Sequence, residues 1–457
     1  MAASKFTPKK VCMVSLGCPK NLVDSEMMLG FLKRDGFELT VQPEEAEVLV
    51  VNTCSFIEDS KVESIDRLLE MAEYKKNGKC KLLVSTGCLS QRYGNALAQD
   101  MPEVDVILGT GEFDRLPKLL TEKLSLDHEG PETSSLQVSA RQILPDPDLP
   151  RILATPKHYS YLKISEGCSH RCSFCIIPKI RGDLKSRPMD SILRETQGLV
   201  AQGVKEFNLI AQDLNEYGRD RRDGSGLSQL LQSLDQVPGD FWYRPLYMYP
   251  LLFNDGLISV LKDSAHWTRY LDMPLQHVSD RILKSMRRGS SSRYIRQLLE
   301  KLKKRISDLT LRTTFIVGYP GETEADFKEL CNFVQEYEFD RVGVFAFSPE
   351  ENTEAFDLPD SIPDEIKIER RDTLMALQQE VSRRKNEALI GKEVKVLVEG
   401  PSVENAWVLQ GRQASQAPEI DGVTYLSEGI ARPGEFISAK IQEAHDYDLV
   451  ASINGNA

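Results

Sequence analysis

Long apolar runs are missing from this sequence. Nothing in its 457 residues approaches the roughly 18 consecutive apolar positions that a membrane-spanning helix needs, so a transmembrane enzyme is excluded. The chain opens Met-Ala-Ala-Ser-Lys-Phe, without an apolar signal-peptide core, and the expected compartment is the cytoplasm. An excess of positive charge is missing too. The 57 Lys and Arg stand against 69 Asp and Glu, a formal net charge of −12, which argues against a protein that wraps nucleic acid. A basic protein partner suits that balance better. With 41% hydrophobic and 28% charged residues, the composition is that of a folded chain, and its length gives a prior of about three domains. Nine cysteines remain to be explained, and in a reducing compartment they point to metal or catalytic use before disulfides.

The charge is unevenly spread. Residues 1–150 carry 17 basic and 24 acidic side chains, residues 151–390 carry 35 of each, and residues 391–457 carry 5 and 10. Residues 125–157 hold Pro131, Pro145, Pro147, Pro150 and Pro156 with little periodicity, as linkers do. A second seam falls near Gly391, where a charged helical pattern from Asp364 to Leu389 gives way to alternating Glu-Val-Lys-Val-Leu-Val. The expected domains are therefore 1–124, a linker at 125–157, 158–390 and 391–457.

In the first part, Val11–Ser15, Val48–Asn52, Leu82–Ser85 and Val104–Leu108 read as buried parallel strands alternating with helical stretches, an α/β doubly wound sheet. The middle part has six candidate strands: Tyr159–Ser165, Glu206–Ala211, Arg244–Tyr249, Tyr270–Met273, Arg312–Val317 and Arg341–Phe347. With helices between them, they suggest a complete or partial parallel (β/α)6 barrel whose chemistry sits at the C-terminal strand ends. The last part has short strands punctuated by Gly400, Gly411, Gly422, Gly429 and Gly434, the pattern of a small OB-like β-barrel.

Three cysteines lie in Glu166-Gly-Cys168-Ser-His170-Arg-Cys172-Ser-Phe174-Cys175, directly after the first strand of the middle part. Three thiolates on one tight loop can hold three irons of a 4Fe–4S cluster. No fourth cysteine lies nearby in sequence, which leaves the fourth iron open to a small chelating ligand. A structural zinc completed by His170 is the weaker reading. His170 sits between two of the cysteines it would have to join, and zinc sites are usually paired Cys-x-x-Cys knuckles.

Cys18, Cys54 and Cys88 form a second, dispersed set. Each follows a strand of the N-terminal sheet within two or three residues, and two stand in Gly-Cys steps. In a doubly wound sheet the C-terminal strand ends line one crevice, so the three can converge on a second iron–sulfur site. One buried cysteine in such a place would be an ordinary small hydrophobe. Three at equivalent positions of a repeated unit are not. Cys12, Cys80 and Cys331 are assigned no role.

The Cys-x-x-x-Cys-x-x-Cys loop after the first strand of a six-unit barrel resembles the radical S-adenosylmethionine (SAM) superfamily, in which an aromatic such as Phe174 usually precedes the third cysteine. The two cysteine sets with a C-terminal β-barrel resemble, across essentially the whole chain, the methylthiotransferases. Their order is an N-terminal methylthiotransferase domain, a radical SAM barrel and a TRAM domain. Within that family, Ser15-Leu-Gly-Cys-Pro-Lys-Asn-Leu-Val-Asp-Ser25, Cys175-Ile-Ile-Pro-Lys-Ile-Arg-Gly182, Met273-Pro-Leu-Gln-His-Val-Ser-Asp280 and Gly411-Arg-Gln-Ala-Ser-Gln-Ala-Pro-Glu-Ile-Asp-Gly422 look like the subfamily that modifies an aspartate of small-subunit ribosomal protein S twelve. The other subfamily modifies adenosine in tRNA. A tRNA-binding barrel should be basic, and the acidic tail makes tRNA the less fitting substrate.

The resemblance implies SAM and two 4Fe–4S clusters as cofactors. Cys168, Cys172 and Cys175 would hold the SAM cluster, and Cys18, Cys54 and Cys88 the auxiliary one. One SAM would supply the methyl group and a second the radical, with the methylthio group joined to the β-carbon of the aspartate. A reductant and a sulfur donor are also implied, neither identified by the sequence. SAM contacts are expected from Phe174, from Gln212 at the end of the second barrel strand, and from Gly318 and Pro320 after the fifth, where glycines let backbone approach a ligand. His277, after the fourth strand, is read as structural. Arg181, Arg219, Arg221 and Arg222 are read as solvated charge.

Overall fold

Alternation of apolar residues along each N-terminal strand sends Val48 and Val50 to one face of a sheet and Leu49 and Val51 to the other. The computed structural model describes residues 9–125, 134–359 and 361–453, and its chain divides into two compact units. The first comprises the chain up to Ala154 with Ser165–His170 and Cys175–Arg187, and the second comprises Thr155–Ile164, Arg171–Phe174 and the chain from Pro188.

The first unit is built on β1 (Lys10–Ser15), β2 (Glu38–Thr40), β3 (Val48–Thr53), β4 (Leu82–Gly87), β5 (Val106–Leu108) and β6 (Ser135–Gln137). They pair in the order β2-β1-β3-β4-β5-β6, all parallel. Helices α1 (Pro19–Arg34) and α4 (Leu116–Ser125) pack one face through Met27, Met28, Phe31, Leu116 and Leu120. Helices α2 (Glu58–Asn77) and α3 (Cys88–Asp100) pack the other through Leu68, Met71, Leu89 and Leu97. The doubly wound expectation holds, with two strands added. β2 and β6 are three-residue edge strands, too short for a periodicity to reveal. β6 falls in the stretch with linker composition, of which residues 126–133 lie outside the described residues.

After β7 (Tyr159–Lys163), a strand of the second unit, the chain gives the first unit a short antiparallel pair, β8 (Ser165–Glu166) with β9 (Lys185–Ser186), and the helix α5 (Ile177–Arg181) between them.

The second unit continues with β10 (Glu206–Ile210), β11 (Trp242–Pro245), β12 (Tyr270–Asp272), β13 (Thr310–Val317) and β14 (Arg341–Ala346). Helices α6 (Met189–Ala201), α7 (Leu227–Leu234), α8 (Asp255–Asp263), α9 (Asp280–Ser285), α10 (Ser292–Arg305) and α11 (Glu324–Tyr337) alternate with them. The strands form two parallel sheets, β7-β10-β11 and β12-β13-β14. A bridge from Tyr243 to Trp267 and a bond from the Met248 N–H to the Asp272 carbonyl (2.8 Å) join them in chain order, as a partial barrel requires. The third strand runs Trp242–Pro245, two residues ahead of the span expected from sequence. The Leu246 N–H still reaches the Leu209 carbonyl (3.1 Å), and the strand stops where Tyr247 turns at φ +63°.

Helix α12 (Asp364–Glu387) leads to β15 (Glu393–Pro401), β16 (Leu409–Gln413), β17 (Thr424–Glu428), β18 (Phe436–Ala444) and β19 (Leu449–Ile453), which close into a barrel in the order β15-β16-β17-β19-β18. Val396, Val398, Leu426, Ala439, Ile441 and Ala451 fill it. The fully buried Glu206 of β10 pairs with Arg244 (3.1 Å) and with Arg412 of β16 (2.6 Å), and Arg412 also holds Glu399 (2.6 Å). A cation between two carboxylates and a carboxylate between two cations thus lie inside this unit. Among the described residues, no helix is long and apolar enough to cross a membrane.

Candidate functional site

Three neighbouring parallel strands of the first unit each lead to a cysteine. After β1, Gly17 turns the chain at φ +83° and places Cys18 at the N-terminus of α1, with Pro19 in the first helical position. β3 runs directly into Cys54. β4 ends at Gly87, φ +93°, and Cys88 is the first residue of α3. These turns need glycine. A Cβ on Gly17 would lie 2.8 Å from the Cys54 Cβ and 2.9 Å from its Sγ, and one on Gly87 would lie 2.3 Å from Asn52 Oδ1.

Polar side chains hold the three turns in register. Asn21 Nδ2 donates to the carbonyls of Leu16 (3.0 Å) and Thr53 (2.9 Å), while its Oδ1 lies 3.7 Å from Cys88 Sγ. Ser64 of α2 accepts from the Cys54 N–H and donates to the Cys54 carbonyl, each at 2.9 Å. Burial pushes the Cys88 thiol up to about 12, opposed by the Arg181 charge and reinforced by Cys54 and Cys18. Burial likewise raises Cys54, with Cys18 adding to it. The three sulfurs therefore share one electrostatic neighbourhood, where a metal would displace the protons held by the raised Cys54 and Cys88 thiols. A donor set of three soft sulfurs suits an iron–sulfur centre.

Arg181 corrects the sequence reading. Expected in solvent, it is 4% exposed at the end of α5. Its Nη1 pairs with Asp24 (2.7 Å) and Glu166 (3.2 Å), while Nη2 donates to Asn21 Oδ1 and lies 3.4 Å from Cys88 Sγ. The signal was its place beside Ile180, which packs with Ile176 just ahead of the helix against Cys88. Arg219 is exposed and pairs with the buried Glu216, Arg221 is partly exposed and pairs with the exposed Asp223, and Arg222 is exposed.

The cysteines of the other set occupy eight consecutive residues, so the sequence itself keeps them within reach of one another. Gly167, φ +78°, precedes Cys168, whose N–H donates to the Gly182 carbonyl at 3.0 Å within the first unit. Cys175 stands two residues before α5 in that unit. In the second unit, Arg288 Nη1 lies 3.5 Å from Cys172 Sγ, with Nη2 donating to the Pro274 carbonyl (2.5 Å) and the guanidinium 3.9 Å from the centroid of the Tyr249 ring. All three thiols are partly exposed, and none of the nine cysteines forms a disulfide.

The four residues expected to contact SAM all lie in the second unit. Phe174 packs against the cluster of Ile282, Met286, Tyr319 and Phe347. Gln212 is half-buried just beyond the end of β10. Gly318 follows β13 at φ +73°, and the stem of Lys367 occupies the place of its missing side chain, with Cγ 2.2 Å from where a Cβ would stand. Glu322 gathers the N–H groups of Gly318 and Tyr319, with buried Pro320 in the same turn. His277 is fully buried, its Nδ1 accepting from the Ser279 N–H at 3.0 Å. Of the cysteines assigned no role, Cys80 donates to the Leu82 carbonyl and burial raises it to about 11.

Residues 10–109 match the model of the uncharacterized protein family UPF0004, 162–334 that of the radical SAM superfamily, and 390–453 that of the TRAM domain. The chain is similar to solved structures at the level of fold. A radical SAM methyltransferase, TsrM, from Kitasatospora setae aligns with a TM-score of 0.55 at 16% identity, over 76% of this chain and 77% of that one. Sequence similarity reaches much further. The ribosomal protein uS12 methylthiotransferase RimO of Myxococcus xanthus is 49% identical over 98% of this chain and 92% of its own length. Its counterpart in Geobacter sulfurreducens is 46% identical over 97% and 98%. With identity of that order running through all three matched regions, the chain belongs to the RimO family of methylthiotransferases.

Proposed function

We infer that the chain is a radical SAM methylthiotransferase that places a methylthio group on ribosomal protein uS12, at the β-carbon of an aspartate side chain. One observation carries this reading: near-half identity to RimO proteins over almost the whole chain, in a sequence that keeps both cysteine sets. The C–H bond to be replaced is too weakly acidic for a side-chain base near neutral pH. Two 4Fe–4S clusters and SAM, the cofactors of this family, supply the radical and sulfur-transfer chemistry that side chains lack.

The chain's own residues bind and position. Cys168, Cys172 and Cys175 are assigned to the SAM cluster, and Cys18, Cys54 and Cys88 to the auxiliary cluster. Phe174, Gln212, Gly318 and Pro320 are assigned to the SAM pocket. The division into 1–124, 125–157, 158–390 and 391–457 is kept as the domain proposal, with β6 of the 125–157 segment completing the N-terminal sheet, and the cytoplasm as the compartment.

A ribosomal protein binds RNA and carries basic surface, and a tail with 5 basic and 10 acidic residues attracts it while repelling tRNA. Anaerobically purified enzyme, given SAM, a reductant and a sulfide source, should add one methylthio mass to uS12 and none to tRNA. The same gain on tRNA, with uS12 unchanged, would overturn the assignment. Running the assay on free uS12 and on small subunits separates the two forms of the substrate.

A further inference from the structure

Arg181 is buried at the end of a five-residue helix, with partners on both nitrogens of its fork. Its guanidinium is divided: Nη1 faces the carboxylates of Asp24 (2.7 Å) and Glu166 (3.2 Å), and Nη2 faces Asn21 and the sulfur of Cys88 (3.4 Å). Placing a cation out of water is unfavourable unless partners surround it, and here one of those partners is a sulfur of the three-cysteine set. Reduction potentials of iron–sulfur centres follow the charge around them and the hydrogen bonds to their sulfurs. We propose that Arg181 is a positioning residue that sets the reduction potential of the auxiliary centre, donating to the Cys88 sulfur while Asp24 and Glu166 hold its charge in check.

The proposal rests on the assignment of Cys18, Cys54 and Cys88 to a cluster. It makes signed predictions. Adding one electron to the centre adds one negative charge, which a nearby cation favours. Arg181→Gln removes the cation and should lower the potential. Asp24→Asn leaves the guanidinium in place but strips a counter-charge, and should raise it. Arg181→Lys returns a point charge without the planar fork, and should fall between native and Arg181→Gln.

The measurement uses the full chain carrying Cys168→Ala, Cys172→Ala and Cys175→Ala, so that only the auxiliary centre reports. It is reconstituted anaerobically with iron and sulfide and titrated with dithionite under electron paramagnetic resonance. Iron is counted in each sample. The expected result is at least a tenfold change in the one-electron reduction equilibrium, about 59 mV, downward for Arg181→Gln and upward for Asp24→Asn. Shifts of the same sign in both variants indicate simple loosening of the site and overturn the proposal, as does iron retained with no shift. If Arg181→Gln fails to hold iron, Asp24→Asn and Arg181→Lys still decide the sign. Absence of iron from the protein with native Arg181 overturns the auxiliary assignment itself, and this inference with it.

Discussion

The two cysteine sets reach the same ligand count by opposite routes. Cys168, Cys172 and Cys175 are close because eight consecutive residues leave them no alternative. Cys18, Cys54 and Cys88 are close only because β1, β3 and β4 are neighbours in one parallel sheet. The first set needs a loop, and the second needs a fold. Both use the same local device, a glycine at positive φ just before a cysteine: Gly17, Gly87 and Gly167 stand at +83°, +93° and +78°. The difference teaches where each site is vulnerable. A local set fails one residue at a time, whereas a dispersed set fails with the sheet that gathers it.

Removing each set is the largest test of that comparison. The Cys168→Ala, Cys172→Ala, Cys175→Ala variant should lose reductive SAM cleavage entirely, measured as 5′-deoxyadenosine, while keeping about four irons. The Cys18→Ala, Cys54→Ala, Cys88→Ala variant should keep SAM cleavage and lose methylthio transfer. Loss of SAM cleavage in the second variant, or loss of all iron in the first, would break the division of labour.

Next in size is Glu206→Gln. This buried carboxylate serves Arg244 and Arg412 and touches no sulfur, so it supplies the contrast to Arg181. Losing it should cost about 3 kcal/mol of stability in denaturant unfolding, because Arg244 loses its carboxylate and Arg412 keeps only Glu399. The iron content of the native-state protein should not change.

A smaller effect is expected from Gly87→Ala. Strain at positive φ plus the clash with Asn52 should cost about 2–4 kcal/mol and deplete auxiliary iron selectively. Gly167→Ala, whose Cβ would lie 2.1 Å from the Asp183 carbonyl, should instead impair SAM cleavage.

The smallest effect concerns acid. Burial opposes ionisation of Glu399, but His158 and Arg412 outweigh it and hold its pKa at about 2, below the ordinary 4.5. A carboxylate so lowered stabilises the fold above its unfolded value, and that contribution is lost as pH falls from about 4.5 toward 2. Thermal unfolding of cluster-free protein should decline across that window, less steeply in Glu399→Gln.

Much of this was legible in the residues. The central strands of the N-terminal sheet announced themselves as β-branched runs, and the Gly-Cys steps marked two of the three turns that gather the dispersed set. The closed β-barrel followed from short strands punctuated by glycine turn marks. What escaped notice depended on partners far away in sequence. Three residues of β6 carry no period of their own, and they become a strand only against Val106–Leu108. Arg181 looked solvated because the carboxylate that binds it at the shorter distance is far away in the chain. Asp24 lies 157 positions earlier. β11 stops short of the expected end where the backbone turns at Tyr247, φ +63°, a break that hydrophobicity alone does not show.

The edge of the N-terminal sheet bears on how this protein can be taken apart. A fragment ending at residue 124 would keep all three dispersed cysteines but lose β6, leaving β5 as an open edge prone to pairing with other chains. Extending it to Ala154 restores that strand and the contacts of Arg151 and Ala154 with Glu26 (2.5 and 2.8 Å). Even that piece would lack Arg181, so Asp24 would face Cys88 with no cation beside it. The auxiliary site is thus not a module that ends where its cysteines end. Its last component arrives almost a hundred residues after Cys88, so transplanting the N-terminal domain into another enzyme would carry the ligands across and leave the counter-charge behind.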